Sequence, residues 1–193
     1  MSNNDYKFTE DWFSHNIPML KQVLEEYAGK SGIKMLEIGS FQGRSTVWML
    51  ENILTSPSSK ITCIDTFEGS AEHSHEQITG LSNAFMHNVR SFGDKVEIKK
   101  GSSHDVLRTI NSKETYDIIY VDGDHSAPAV MQDAVLAFPL LKKGGLLIFD
   151  DYMWTGMPDV LDRPKVAIDA FVSIFQKQLV FVSSGWQFIV RRV

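Results

Sequence analysis

Short apolar runs alternate with segments of helical periodicity along most of this chain. Runs of β-like composition predict strands at 33–38, 61–65, 96–99, 116–122 and 146–150. Apolar positions with helical spacing predict intervening helices at 46–54, 77–91, 105–110, 129–141 and 165–175. Strands that alternate with helices form right-handed βαβ units, which predicts a parallel sheet.

The two ends of the chain depart from this alternation. Asn16 is predicted to cap an N-terminal helix that two glycines stop, and residues 1–32 are interpreted as a helical cover. Near the other end, 179–182 and 186–190 flank a Ser-Ser-Gly turn and predict a hairpin. The whole pattern predicts one compact α/β molecule, with 33–193 as a Rossmann-like, doubly wound domain. Its mostly parallel seven-stranded sheet is expected to end in that antiparallel hairpin.

Composition narrows the classes of partner and compartment. The 193 residues are 43% hydrophobic and 22% charged, which is typical of a globular protein. The net charge is −5 and no dense Lys/Arg run exists, so we expect neither nucleic acid nor a membrane surface as a partner. No apolar run approaches the ~18 to 20 residues that cross a bilayer. A single cysteine, Cys63, and a polar start without an apolar signal region lead us to expect a cytoplasmic location.

Acidic and small residues stand at the predicted carboxyl ends of the strands. In open α/β sheets the ligand binds beyond these ends, so these residues are the candidate site. They are Glu37, Gly39, Asp65, Gly101, Ser102, Ser103, Asp122, Asp124, Asp150 and Asp151.

The loop after the first strand carries two glycines, Gly39 and Gly43. Phe41 stands where a dinucleotide fingerprint would have another glycine, and its side chain crowds the space that a pyrophosphate needs. Glu37 would also repel a phosphate. Asp65 lies 22 positions after Gly43, where an acid is expected to accept hydrogen bonds from ribose hydroxyls. A nucleoside with a cationic or zwitterionic tail therefore fits better than a dinucleotide, and a plain tight turn is the alternative.

These segments resemble the motifs of a known enzyme family. Glu37-x-Gly39-x-x-x-Gly43 resembles the first motif of class I S-adenosylmethionine (SAM) dependent methyltransferases, in a form similar to catechol O-methyltransferase-like enzymes. The segments 101–105, 116–126 and 141–152 resemble the third, fourth and fifth motifs and look closest to the macrocin O-methyltransferase-like branch. The similarity covers 33–192 with the motifs in the family's order.

The resemblance implies SAM as the cofactor. Asp65 matches the ribose-binding acid of the family, and Ser103 and His104 would lie beside the adenine. The residues implied to hold the cofactor are Glu37, Gly39, Ser40, Gly43, Asp65, Thr66, Gly101, Ser102, Ser103, His104 and Asp122.

Three aspartates are expected to meet at the ends of the fourth and fifth strands, which we predict to be neighbours at the switch point of the sheet. Asp122, Asp150 and Asp151 would repel one another unless a cation intervened, and oxygen ligands suit Mg²⁺ best, with Mn²⁺ or Ca²⁺ as the other candidates. The resemblance implies the same metal site, although Asp151 replaces the asparagine usual in the catechol type. Helix capping or solvation, as at Asp124, is the alternative.

His125 follows Asp122 by three residues and is the candidate general base. In relatives of the catechol type this position usually holds a lysine that acts as the base. We predict that Asp122 and His125 are the catalytic residues, with a surface histidine as the alternative reading.

The predicted function is therefore SAM-dependent, divalent-metal-assisted O-methyl transfer to a small-molecule hydroxyl, on a sugar, a phenol or catechol, or a secondary metabolite. A non-catalytic SAM-binding protein and an NAD-dependent oxidoreductase are the alternatives. The three aspartates and His125 argue against a non-catalytic binding protein. Phe41 argues against an oxidoreductase. A homodimer is a further expectation.

Several other residues are candidates for the walls of the site. The histidines in the segment after the second strand would form a lid or lie on an exposed surface. Residues 152–154 would form the wall of an acceptor pocket. The aromatic pair Trp12 and Phe13 would cover the site. These candidates are His73, His75, His87, Tyr152, Met153, Trp154, Trp12 and Phe13.

Overall fold

Seven strands form one sheet in the computed structural model, which describes residues 5–70, 73–110 and 115–193. The strands are β1 (Lys34–Ile38), β2 (Lys60–Asp65), β3 (Val96–Lys100), β4 (Tyr116–Val121), β5 (Leu141–Phe149), β6 (Leu179–Ser184) and β7 (Phe188–Arg192). The helices are α1 (Ile17–Leu24), α2 (Arg44–Asn52), α3 (His75–Ile78), α4 (Leu81–Val89), α5 (Ser103–Thr109), α6 (Ala127–Ala137) and α7 (Pro164–Phe175). Short 3-10 turns occupy Ser14–Asn16, Glu25–Tyr27, Arg90–Lys95, Phe138–Leu140, Val160–Asp162 and Gln176–Gln178.

The strand order is β3-β2-β1-β4-β5-β7-β6. Strands β1 to β5 are parallel, whereas β7 runs antiparallel to both β5 and β6. This topology confirms the predicted α/β fold with its C-terminal antiparallel hairpin. The order reverses between β1 and β4, so the switch point lies there and not between β4 and β5, although β4 and β5 are neighbours as expected.

Side chains alternate between two apolar layers on opposite faces of the sheet. In β1, Met35 packs into the layer covered by α1, α2 and α4, and Leu36 packs into the layer covered by α6 and α7. Because successive strand residues point to opposite faces, both faces are buried, as parallel sheets require. Packing on both faces fixes the positions of the carboxyl ends of the parallel strands. Cys63 is fully buried within the first layer, as its mid-strand position predicts.

Most predicted elements are shifted by one or two residues in the structure, and three differ from the prediction for an identifiable reason. The helix predicted at 77–91 is divided into α3 and α4 by Gly80, whose φ of +73° breaks the helical backbone. The helix predicted at 129–141 begins two residues earlier and ends at Ala137, since Pro139 follows in a 3-10 turn. Strand β5 begins at Leu141, because the two glycines predicted as a turn lie within the strand.

The N-terminal segment, residues 5–16, runs across the carboxyl ends of the strands. The Thr9 N–H donates to Gln42 Oε1 (2.8 Å), and Arg44 Nε donates to the Glu10 carbonyl oxygen (2.9 Å). Asn16 precedes α1, but its side chain makes no capping hydrogen bond. None of the helices in the described part of the chain has the length and apolar character needed to cross a membrane.

Candidate active site

A cavity of about 790 Å³ opens at the carboxyl ends of the parallel strands. Its walls come from the loops after β1 to β5 and from the N-terminal segment. Sites for small molecules and cofactors occupy about 300–1,000 Å³, so the volume suits a nucleoside together with a second small molecule.

The loop after β1 approaches the end of β4 very closely. A Cβ atom on Gly39 would lie 1.8 Å from the Asp122 carbonyl oxygen, so only glycine fits, and its φ is +80°. Phe41 also has a positive φ, +48°, although it is not a glycine. Positive φ in a bulky residue is strained and is found most often at functional sites.

Asp65 holds this loop in place from the end of β2. Its Oδ2 accepts hydrogen bonds from the Ser40 N–H (2.7 Å) and the Phe41 N–H (2.9 Å), and its Oδ1 accepts one from the Phe67 N–H (2.6 Å). Asp65 therefore organises the backbone of the loop at the place where the sequence predicts a ribose-binding acid.

Glu37 and Gly43, two of the predicted cofactor residues, do not line the cavity. Glu37 is fully buried and accepts hydrogen bonds from Ser40 Oγ (2.7 Å), Ser45 Oγ (2.6 Å) and Thr46 Oγ1. Burial raises its pKa. A Cβ atom on Gly43 would lie 3.0 Å from the Phe85 ring. Both residues shape the loop from behind and do not face a ligand.

The other predicted cofactor residues do line the cavity. They are Gly39, Ser40, Asp65, Thr66, Gly101, Ser102, Ser103, His104 and Asp122. Among them, His104 Nδ1 is buried and has no hydrogen-bond partner among the described residues. A buried polar atom without a partner is expensive, so this atom is available to a ligand.

Asp133 is a lining residue that the sequence reasoning missed. It lies in α6 and is buried, and burial raises its pKa to about 6, while a hydrogen bond from Ser103 acts in the opposite direction. In the sequence, Asp133 is recognisable only as an aspartate within the apolar pattern of a helix. Such an aspartate alone does not identify a site.

At the end of β4, Asp122, His125 and Asp151 come together. One ligand atom from each of these side chains lies within 4.8 Å of the others. His125 Nε2 lies 3.0 Å from Asp151 Oδ2 and 3.7 Å from Asp122 Oδ1. Asp151 has a φ of +56° and is, after Phe41, a second non-glycine residue of the cavity wall with a positive φ. Trp154 meets the His125 ring edge-on, with 5.0 Å between ring centroids.

Asp150, predicted with Asp122 and Asp151 as a metal ligand, lies beside this group and is held by several protein donors. It accepts hydrogen bonds from the Asp151 N–H (2.8 Å), Gln187 Nε2 (3.2 Å), Asn16 Nδ2 (3.3 Å) and the Tyr120 hydroxyl. The structure thus brings the three predicted aspartates to one place, with the His125 ring against Asp122 and Asp151.

The surroundings of Asp122 and Asp150 disfavour the ionised form of both carboxyl groups. Burial, followed by the negative charge of Asp150, raises the pKa of Asp122 well above its ordinary value. Burial and the charge of Asp151 raise the pKa of Asp150 to about 6. Concentrated negative charge of this kind is relieved by a cation, and the carboxylate oxygens fit a hard divalent ion.

Aromatic side chains form the rim above the aspartates. Trp186 Nε1 donates to Asp151 Oδ1 (3.3 Å), and the His15 ring meets Trp186 edge-on at 5.4 Å. Trp12 packs against His73, whose ring stacks on Phe41 with 5.1 Å between centroids. Phe13 and Trp154 also line the cavity.

Four of the candidate wall residues lie elsewhere. Tyr152 and Met153 line a separate, smaller depression. His75 begins α3, and His87 Nε2 lies 2.7 Å from the Asp5 carbonyl oxygen, so His73 is the histidine of that segment that reaches the cavity.

Carboxylates dominate the charged lining of the cavity. They belong to Glu10, Asp11, Asp65, Asp122, Asp124, Asp133, Asp150 and Asp151. Among the described lining residues Arg44 is the only arginine or lysine, and it is paired with Asp11 at 3.6 Å. The cavity therefore favours a cationic ligand and repels phosphates.

A family model described as "Methyltransferase domain" matches residues 36–152, more than half of the chain. This match confirms the resemblance inferred from the motifs. An uncharacterized protein of Acanthamoeba polyphaga mimivirus is 27% identical over 151 residues, which are 74% of this chain and 63% of that protein. Catechol O-methyltransferase of Sus scrofa is 26% identical over 132 residues, 66% of this chain and 64% of the enzyme. The matched part thus spans less than two thirds of either relative.

Solved structures share the fold. The O-methyltransferase from Bacillus cereus, crystallised with S-adenosylhomocysteine, is 18% identical, with a TM-score of 0.66 over 96% of this chain and 84% of that one. A likeness at this identity supports the shared architecture.

Proposed function

Because the chain belongs to the methyltransferase-domain family, we propose that it is a SAM-dependent O-methyltransferase in which a divalent cation assists methyl transfer to a hydroxyl of a small molecule. The observation that carries the proposal is the convergence of Asp122, His125 and Asp151 in the same cavity as the loop after β1.

The cofactor half of the cavity suits a sulfonium nucleoside. Gly39 lets the backbone approach a ligand, and Asp65 and Thr66 line the part of the cavity that we assign to the ribose. His104 Nδ1 is available for the base. The acidic lining and Phe41 both disfavour a pyrophosphate, which argues against a nicotinamide dinucleotide.

Asp122, Asp150 and Asp151 would hold the cation, with His125 beside them. Hard oxygen ligands favour Mg²⁺, with Mn²⁺ or Ca²⁺ as substitutes. A bound divalent ion lowers the pKa of a coordinated hydroxyl, and this is the chemistry it would supply here.

His125 is positioned to remove the proton of the acceptor hydroxyl. The carboxylates of Asp151 and Asp122 face its Nε2 and stabilise the imidazolium that forms. Trp154 and Trp186 provide flat surfaces against which a sugar or phenol ring packs. The remaining contribution is the orientation of the two reactants in one enclosed space.

A binding experiment tests the cofactor. Titration calorimetry should detect S-adenosylhomocysteine at micromolar concentrations and no NAD at the same concentrations. Binding of NAD but not of S-adenosylhomocysteine would overturn the proposal in favour of a dinucleotide enzyme.

A matched pair of variants tests the cation. Asp151→Ala removes a ligand oxygen and should lower methyl transfer at least 100-fold, whereas Asp151→Asn retains an amide oxygen and should keep most of the activity. The assay follows transfer of labelled methyl groups to a panel of sugars and phenols, with Mg²⁺ or with excess chelator. Equal rates with chelator and with Mg²⁺ would remove the cation from the mechanism.

A further inference from the structure

We propose that Tyr120, Gln187 and Asn16 are positioning residues that hold the Asp150 carboxylate in the single orientation required for cation binding. This inference rests on the proposed function, since it concerns the same cation. It assigns a role to side chains that none of the sequence motifs contains as a ligand or catalytic group.

Tyr120 and Gln187 form the inner part of this arrangement. Both side chains are completely buried. The Tyr120 hydroxyl donates to Asp150 Oδ2, and Gln187 Nε2 donates both to the Tyr120 oxygen (2.8 Å) and to Asp150 Oδ2 (3.2 Å). Tyr120 comes from β4 and Gln187 precedes β7, so the network crosses the neighbouring strand β5.

Asn16 completes the arrangement from the N-terminal segment. Its amide is 2% exposed, and Nδ2 lies 3.3 Å from Asp150 Oδ1 and 3.4 Å from Oδ2. An asparagine before a helix usually caps it, but this side chain makes no capping bond. Its amide instead contacts Asp150, which lies 134 positions later in the chain.

Four donor groups hold the carboxylate without saturating it. Oδ2 faces Tyr120, Gln187 and Asn16, while Oδ1 accepts from the Asp151 N–H (2.8 Å) and shares the Asn16 amide. A carboxylate has about four lone-pair sites, and the long, shared Asn16 contact leaves Oδ1 with capacity for a cation. Asp150 still cannot rotate without breaking several bonds at once. The Asp151 backbone is fixed by the same contact, which places the neighbouring aspartate as well.

Burying three polar side chains is costly unless they are satisfied, and apolar residues would fill the same space at lower cost. Gln187 Oε1 has no hydrogen-bond partner among the described residues, so the network is retained at a cost, and its donors hold Asp150 in one geometry. Partners that orient metal ligands change metal affinity about 10- to 100-fold when they are mutated. Asn16 and Gln187 both lie outside the 36–152 match, so the two flanking segments complete the site from opposite ends of the chain.

The test measures Mn²⁺ affinity in the full chain without SAM or acceptor, by electron paramagnetic resonance of the free ion. Tyr120→Phe keeps the ring and removes one donor, and Asn16→Ala removes the outer donor. We expect Mn²⁺ to bind about tenfold more weakly to Tyr120→Phe and several-fold more weakly to Asn16→Ala, with S-adenosylhomocysteine affinity within twofold of wild type.

Tyr116→Phe is the matched control. Tyr116 lies in the same strand and is buried, and its hydroxyl lies 3.4 Å from Thr62 Oγ1, away from the cavity. Its Mn²⁺ affinity should equal that of wild type. A thermal melt establishes that each variant is folded, and if Tyr120→Phe does not fold, Asn16→Ala decides the question.

Two failures can be told apart. Wild-type Mn²⁺ affinity in the folded Tyr120→Phe and Asn16→Ala variants would overturn the positioning role and leave the proposed function intact. Failure of the wild-type protein to bind any Mn²⁺ would overturn the cation-assisted function, and the positioning role with it.

Discussion

At the scale of single residues, His125 has the contacts of a base and not of a packing residue. Its ring lies between two carboxylates and the edge of Trp154. His125→Gln keeps a polar side chain of similar size but cannot accept the proton at neutral pH. We expect initial rates of methyl transfer to fall about 10²- to 10⁴-fold, the usual contribution of a general base.

Calorimetry with S-adenosylhomocysteine is the control for this variant. Its affinity should stay within twofold of wild type, because the proposed function assigns His125 to the acceptor and not to the cofactor. A variant that transfers methyl groups at the wild-type rate would show that His125 is not the base.

Individual site residues were predictable where a backbone constraint decides their position. Gly39 and Asp122 follow directly from strand ends, and both line the cavity. Glu37 was predicted to contact the cofactor, but the two-residue period of a strand turns it toward the layer of α2, where three hydroxyls surround it. The partners of Asp150 could not be predicted, because Asn16 and Gln187 approach it only through tertiary packing.

At the scale of elements, the loop after β1 depends on Asp65 for its shape. Three backbone N–H groups donate to this carboxylate, and hydrogen bonds to a charged group contribute about 1.5–3 kcal/mol each. Asp65→Ala should therefore lower the free energy of unfolding by at least about 2 kcal/mol. It should also lower the affinity for S-adenosylhomocysteine at least tenfold. Urea denaturation and calorimetry measure the two effects.

Ser102→Ala is a suitable comparison, since Ser102 lines the same cavity but makes no side-chain capping bond to α5. It should leave the free energy of unfolding nearly unchanged. If Asp65→Ala lowered the affinity for S-adenosylhomocysteine but left the free energy of unfolding unchanged, Asp65 would contact the ligand directly and would not act through the loop.

The elements themselves were largely predictable, because the alternation of buried strands and amphipathic helices is strong. Their exact ends were not. Two glycines suggested a turn before β5, but they extend the strand, and a Cβ atom on Gly145 would lie 2.8 Å from the Asp117 carbonyl oxygen. Such a close approach between strands is a property of the sheet and cannot be read from the glycines alone.

At the scale of the whole molecule, the buried acids link stability to pH and to cations. The pKa of Asp150 is raised to about 6 and that of Asp122 is also raised, so the folded protein holds protons that the unfolded chain releases. These groups favour folding at low pH and oppose it increasingly as the pH rises through about 6. A divalent cation replaces the protons and should relieve this opposition.

We therefore expect Mg²⁺ to raise the melting temperature more at pH 7.5 than at pH 5.5, where protons compete for the carboxylates. Differential scanning calorimetry at both values, with and without Mg²⁺, measures the difference. Asp151→Ala should abolish the Mg²⁺ effect at pH 7.5. An equal Mg²⁺ effect at both pH values would show that these aspartates do not bind the ion.

The molecule's architecture was predictable from the sequence, whereas the position of the switch point was not. The sequence indicates which segments are strands but not how they are ordered across the sheet. The order places the crevice between β1 and β4, and the N-terminal segment then closes it.

The carboxylates around the cavity also bear on turnover. When a sulfonium ion gives up its methyl group it becomes an uncharged thioether, so the spent cofactor carries one positive charge fewer than the incoming one. Walls lined by aspartates and glutamates attract the charged reactant and lose that attraction once the reaction is complete. The same electrostatic field that loads the enzyme would thereby speed departure of its product.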